Sequence, residues 1–114
     1  MAGGSGERFW PMSRARTPKQ LIKLFGDTTL LEQTVRRLEG VVPPENIFVL
    51  TNEMQLSATK AALAKLAVAQ VIAEPAKRDT APAAALATAL VRARDPKGVM
   101  LVLSSDALIR ECKR

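Results

Sequence analysis

With 114 residues, 47% of them hydrophobic and 25% charged, the chain has the composition of one small globular domain, not of a disordered segment. No histidine and a single cysteine, Cys112, exclude a His/Cys zinc site, a Ser-His-Asp triad and a disulfide framework. The net charge of +6 suits an anionic partner.

In chain order, Met1-Ala2 is at most the stub of a strand, and a glycine-rich loop follows it. Thr29 to Glu39 places Leu31, Val35 and Leu38 at helical spacing. Ile47 to Thr51 is short, apolar and rich in strand formers. Asn52 to Ala67 reads as a helix, with Asn52 as cap, Gln55 as a capping-box partner, and Leu56, Leu63 and Leu66 as its apolar face. Gln70 to Glu74 is a second strand. Thr80 to Arg94 is a third helix, capped by Asp79 or Thr80, with Pro82 in its first turn. Its uncharged middle, Pro82 to Val91, predicts a buried helix. Val99 to Leu103 reads as the last strand.

Continuous apolar strands alternating with helices predict an α/β fold, a Rossmann-like parallel sheet with flanking helices. No apolar run approaches the roughly 18 residues of a membrane-spanning helix. The first ten residues lack the layout of a secretory leader, so none is expected.

Ligands of open parallel sheets bind beyond the carboxyl ends of the strands. Three stretches fall there. The first is the loop after the stub, Ala2-Gly3-Gly4-Ser5-Gly6-Glu7-Arg8. Its glycines let backbone N–H groups approach a phosphate, although on glycines alone a plain surface turn is equally consistent. It is neither a P-loop, lacking the Lys-Ser/Thr ending, nor a dinucleotide fingerprint, having Phe9 where the third glycine belongs. The second is Pro18-Lys19, inside a basic stretch. From Glu7 to Lys23 stand five basic residues, Arg8, Arg14, Arg16, Lys19 and Lys23, against one acid. Such a cluster by itself reads first as a solvated face, and the neighbouring glycine loop shifts the balance toward a phosphate site. The third is Ser104-Ser105-Asp106, where a strand-end carboxylate can hold Mg²⁺ or cap the next segment. Glu74-Pro75 and Arg78 to Pro82 follow the middle strand; by themselves they read first as a loop and helix cap, and second as a nucleotide contact at a helix N-terminus.

Taken together these residues resemble the sugar-phosphate nucleotidyltransferases, most closely their mannose-1-phosphate guanylyltransferase branch. Ala2 to Arg14 resembles that family's signature loop, and Pro18-Lys19-Gln20 stands at the expected distance. Gly26-Asp27 with Leu30 to Thr34 resembles the stretch that follows. Glu74 to Ala83 resembles a second signature, more particular to the guanylyl members. Ser104-Ser105-Asp106 falls where the family has Pro-Ser-Asp-His.

The resemblance implies transfer of GMP from GTP to mannose 1-phosphate, with Mg²⁺ as cofactor, in the cytoplasm, and without a nucleic-acid or membrane partner. It implies that the Ala2, Gly3, Gly4, Ser5, Gly6 and Glu7 backbone cradles the triphosphate and that Arg8 holds the leaving pyrophosphate. Lys19 would neutralise charge at the α-phosphate and Asp106 would hold Mg²⁺. Glu74, Arg78 and Thr80 would face guanine or ribose.

Two departures stand out. The family's catalytic domain is much longer, and its first strand ends in the residues matching Met1-Ala2. Residues 1–114 are therefore expected to be the N-terminal part of a nucleotidyltransferase domain: a gene fragment, a start misplaced at an internal Met, or a truncated chain. A gap is expected between the Ile47–Thr51 and Val99–Leu103 strands. Ser104 and Ala107 replace the family's proline and histidine. Three alternatives remain at this stage: a non-catalytic nucleotide-binding remnant, a nucleotidyltransferase for another sugar 1-phosphate, and a basic nucleic-acid binder. Three phenylalanines, one tryptophan and no tyrosine offer the last of these little for base stacking.

Overall fold

The computed structural model describes residues 1–2, 11–12, 18–23, 26–66, 68, 70–76 and 80–107. Helix α1 spans Leu30–Arg36 and opens on a closed capping box. The Thr29 hydroxyl accepts from the Glu32 N–H at 3.1 Å, and the Glu32 carboxylate accepts from the Thr29 N–H at 2.7 Å. The helix is shorter than the pattern to Glu39 predicts. Beyond Arg36 the chain tightens into i→i+3 bonds, Leu38 N–H to Val35 O at 2.9 Å and Glu39 N–H to Arg36 O at 3.1 Å. Gly40, at φ 75°, then supplies the left-handed turn that leads back toward the sheet.

Strand β1, Phe48–Asn52, pairs in parallel with β2, Gln70–Glu74, from Phe48 opposite Gln70 to Asn52 opposite Glu74. Helix α2, Glu53–Leu63, makes the crossover. Asn52 caps it as the sequence predicts, its Oδ1 accepting from the Gln55 N–H at 2.9 Å. The buried face of α2 is Gln55, Thr59 and Leu63, at i, i+4 and i+8. Leu56 and Leu66 are only half-buried. Ala2, Leu31, Val35, Ile47, Val49 and Leu63 form the core, between α1, β1 and α2.

On the other edge of β1 lies the stub. The Ala2 N–H donates to Leu50 O at 2.7 Å, and the Met1 ammonium donates to Leu103 O at 2.8 Å. The stub therefore sits between β1 and the last apolar segment, where a gap is expected from the sequence. The segment Val99–Leu103, however, is not a strand, which corrects the sequence reading. Its described backbone bond to the stub is the one at Leu103, and a strand needs a ladder of such bonds. Val99 is 98% exposed and Leu101 65%.

Helix α3, Thr80–Arg94, also departs from expectation: Ala83 is its one buried residue. Its Ala87, Leu90 and Val91 face an apolar cavity of about 430 Å³, shared with Phe48, Leu50 and Leu101. The uncharged face of α3 is thus turned toward the sheet but has no packed layer beneath it. Arg94 ties the end of α3 to β1, lying 5.1 Å from the Phe48 ring centre and donating to Glu45 O. Among the described residues no helix is long and apolar enough to cross a membrane.

Candidate functional site

Pro18, with extended backbone at φ −67° and ψ 155°, leads into a single 3₁₀ turn, Lys19–Leu21. In a 3₁₀ turn successive side chains point about 120° apart. The turn accordingly sends Gln20 inward, where it is fully buried, and leaves Lys19 half-buried at the surface.

Lys19 Nζ forms an ion pair with Asp106 Oδ2, and Ser104 Oγ donates to Asp106 Oδ1. Two stretches of chain 87 positions apart are thereby joined. Burial pushes the Asp106 carboxyl up, but the hydrogen bonds from Lys19 and Ser104 outweigh it and hold the group below its ordinary 3.8. The Asp106 turn is anchored from behind by Arg37. That guanidinium donates to Ala107 O at 3.0 Å and to Thr34 Oγ1 at 2.9 Å. The ion pair is therefore carried on two short segments, each fixed to the core by other residues.

Ala2, the residue that leads into the glycine loop, is held at three points. Its N–H goes to Leu50 O, and its carbonyl accepts from Gln20 Nε2 and, at 3.3 Å, from Thr51 Oγ1. Gln20 Nε2 also donates to Gln55 Oε1 on α2. Sequence reasoning singled out neither Gln20 nor Gln55 for this role. The one local signal was the i, i+4, i+8 spacing of Gln55 with Thr59 and Leu63. The sequence assigns Gln55 to the capping of α2, and only the fold shows its side chain meeting Gln20.

Glu74 ends β2 and is half-buried. Its charge is felt at the amine of Met1. Burial lowers that amine below its ordinary 8.0, and the carboxylates of Glu74 and then Asp106 act to raise it. Glu74 lies at the carboxyl end of β2, opposite Asn52 at the carboxyl end of β1. Thr80 opens α3 and is exposed, and no described contact joins it to Lys19 or Asp106. Gly3, Gly4, Ser5, Gly6, Glu7, Arg8 and Arg78 lie outside the described residues, as does Asp79.

The donors at Asp106 and Ser104 are oxygens, the chemistry that Mg²⁺ prefers, and such sites need only one or two carboxylates when phosphates complete the shell. Among the described residues no group of three or more His, Cys, Asp or Glu could hold a metal by itself. A metal here would need oxygens from a ligand. The 430 Å³ cavity is a different place. Its walls are mainly apolar, and neither Lys19 nor Asp106 lines it.

Residues 1–113 match the family described as Nucleotidyl transferase. Mannose-1-phosphate guanylyltransferase of Escherichia coli (strain K12) is 43% identical over 115 residues, which cover 97% of this chain and 24% of that protein. Mannose-1-phosphate guanylyltransferase ManC of Salmonella typhimurium is 46% identical over 114 residues, covering 96% and 23%. The crystal structure of mannose-1-phosphate geranyltransferase from Thermus thermophilus superposes with a TM-score of 0.66 and 37% identity, over 84% of this chain and 28% of that one. The chain thus spans about a quarter of the length of these relatives. A parallel βαβ unit, a Lys19 turn paired with the Asp106 carboxylate and a match over nearly every residue lead to one conclusion: the chain belongs to the Nucleotidyl transferase family.

Proposed function

We propose that this chain is the nucleotide-binding part of an enzyme that transfers GMP from GTP to mannose 1-phosphate, giving GDP-mannose and pyrophosphate. The observation that carries the reading is the Lys19–Asp106 pair beside the tethered Ala2. It puts a cation and an anion where the glycine loop begins. The names of the relatives support guanine and mannose as the specificity.

The chemistry asks little of the protein in covalent terms. An oxygen of mannose 1-phosphate attacks the α-phosphorus of GTP. The new O–P bond forms as the bond from that phosphorus to the bridging oxygen breaks, and pyrophosphate leaves with the electron pair. The attacking oxygen is already anionic near neutral pH, so no general base is required. Catalysis is positioning and charge neutralisation. The Gly3–Glu7 backbone offers N–H groups to the triphosphate, and Arg8 holds the departing pyrophosphate. Lys19 turns from Asp106 to the α-phosphate. Glu74, Arg78 and Thr80 meet the nucleoside. Asp106, with Ser104 beside it, is the residue that would hold Mg²⁺, which when bound supplies Lewis-acid neutralisation of phosphate charge. This reading carries with it a cytoplasmic location and no nucleic-acid or membrane partner.

The test is pyrophosphate release from GTP and mannose 1-phosphate by the chain extended to the length of its relatives. Turnover should need Mg²⁺ and prefer GTP over ATP, CTP and UTP. Lys19→Ala and Asp106→Asn should each lower kcat roughly 100-fold or more, the scale on which a charge-stabilising donor is lost. Full activity in both variants would refute the assignment.

A further inference from the structure

We infer that Gln20 is a positioning residue: it sets the geometry of Lys19 against the start of the glycine loop, and so governs nucleotide affinity without touching the nucleotide. The inference rests on the reading of Lys19 as the residue that meets phosphate.

Gln20 is entirely buried and is the next residue to Lys19 in a one-turn 3₁₀ helix. So short a turn has no flexible link between the two side chains. Where the Gln20 amide is fixed, the backbone carrying Lys19 is fixed with it. The amide is fixed twice. Nε2 donates to Ala2 O and to Gln55 Oε1. The Ala2 carbonyl can only accept, so the orientation of the Gln20 amide is determined and not a matter of choice. Ala2 is itself bonded to Leu50 and Thr51 of β1. Gln55 sits in the first turn of α2, held by the cap on Asn52. One side chain therefore joins the Lys19 turn, the residue before Gly3, the end of β1 and the start of α2.

The remaining amide atom argues against a purely structural role. Gln20 Oε1 is buried and has no hydrogen-bond partner among the described residues. A buried acceptor left unpaired is a cost to folding. An apolar side chain of similar length would fill the same space without that cost. What the amide adds is direction, through two N–H bonds that an apolar group cannot make.

The test is a cycle on the chain extended to the length of its relatives, reading GTP affinity by calorimetry with Mg²⁺ present and the melting temperature without ligand. Gln20→Met, a near-isostere without donors, should keep the melting temperature within a few degrees yet weaken GTP binding about tenfold, the size of a coupling between contacting residues. In a Lys19→Ala background the same Gln20→Met change should add little. Gln55→Ala removes only one of the two anchors, so it should give a smaller loss of affinity with the same dependence on Lys19. It also covers the case in which Gln20→Met fails to fold.

Unchanged GTP affinity in Gln20→Met overturns the inference. So does an equal loss with and without Lys19, because the residue then acts on packing alone. If Lys19→Ala binds GTP as well as the parent chain does, or the parent chain binds none, the reading of Lys19 fails and takes this inference with it. That failure is visible before Gln20 is changed.

Discussion

The two edges of β1 present the molecule's sharpest contrast. Toward β2 every position from Phe48 to Asn52 has a partner, α2 packs over the pair, and Val49, Leu50 and Thr51 are buried. Toward the stub the described backbone bonds are those of Ala2 to Leu50 and Met1 to Leu103. Beyond them Val99 and Leu101 are exposed and a cavity opens under α3. Both regions are apolar in sequence. Only the one whose backbone finds a ladder is buried, because an apolar strand cannot enter a core while its N–H and C=O groups lack partners. The candidate site belongs to the seam between the two regions. Lys19 and Gln20 are anchored through Ala2 to the packed side, and Asp106 comes from the open side.

The contrast can be broken most forcefully in the packed half. Leu31 is 3% exposed in the core, so Leu31→Ala should cost about 3 kcal/mol, whereas Leu101→Ala on the open side should change stability by less than about 0.5 kcal/mol. Urea midpoints of the two variants check this, and equal losses would show that the open segment is packed after all. A smaller effect is expected at the α1 cap. Thr29→Ala removes the hydroxyl that receives the Glu32 N–H and should cost about 1 kcal/mol, measured the same way.

A pH series sharpens the same point. Burial pushes the Glu32 carboxyl up, but hydrogen bonds to Thr29 and the charges of Arg36 and Lys23 prevail and hold it below its ordinary 4.5. The unfolded chain therefore binds this proton more readily than the folded one. The resulting stabilisation is complete above about pH 4.5 and is lost as pH falls through the lowered folded value. Glu32→Gln should flatten the melting temperature over that acid range and leave its slope near neutrality unchanged. The gentlest probe is hydrogen exchange. The amides of β1 and β2 should exchange slowly and together, and those of Val99 to Val102 near the rate of an unstructured chain. Comparable protection in both would remove the contrast altogether.

Much of the architecture was legible in the residues. The Asn52 cap, both strands of the sheet and the alternation that implies a parallel arrangement depend on contacts within a few residues or on periodicity, whereas the Thr29 capping box was not read from the sequence. The nucleotidyltransferase resemblance, carried by ordered motifs, agrees with the family match. Lys19, Asp106, Ala2, Glu74 and Thr80 could be named as candidates because the carboxyl ends of parallel strands are predictable positions.

Three things were decided only by tertiary structure. The pairing of Lys19 with Asp106 joins segments that no local pattern connects. The inward Gln20 and Gln55 are polar residues whose burial becomes affordable only when each meets the other across the fold. The exposure of Val99, Leu101 and Val102 and of most of α3 reverses what their composition predicts. Hydropathy tells which segments gain by leaving water. Whether they can leave depends on backbone partners supplied by distant parts of the chain, and those are a property of the assembled fold.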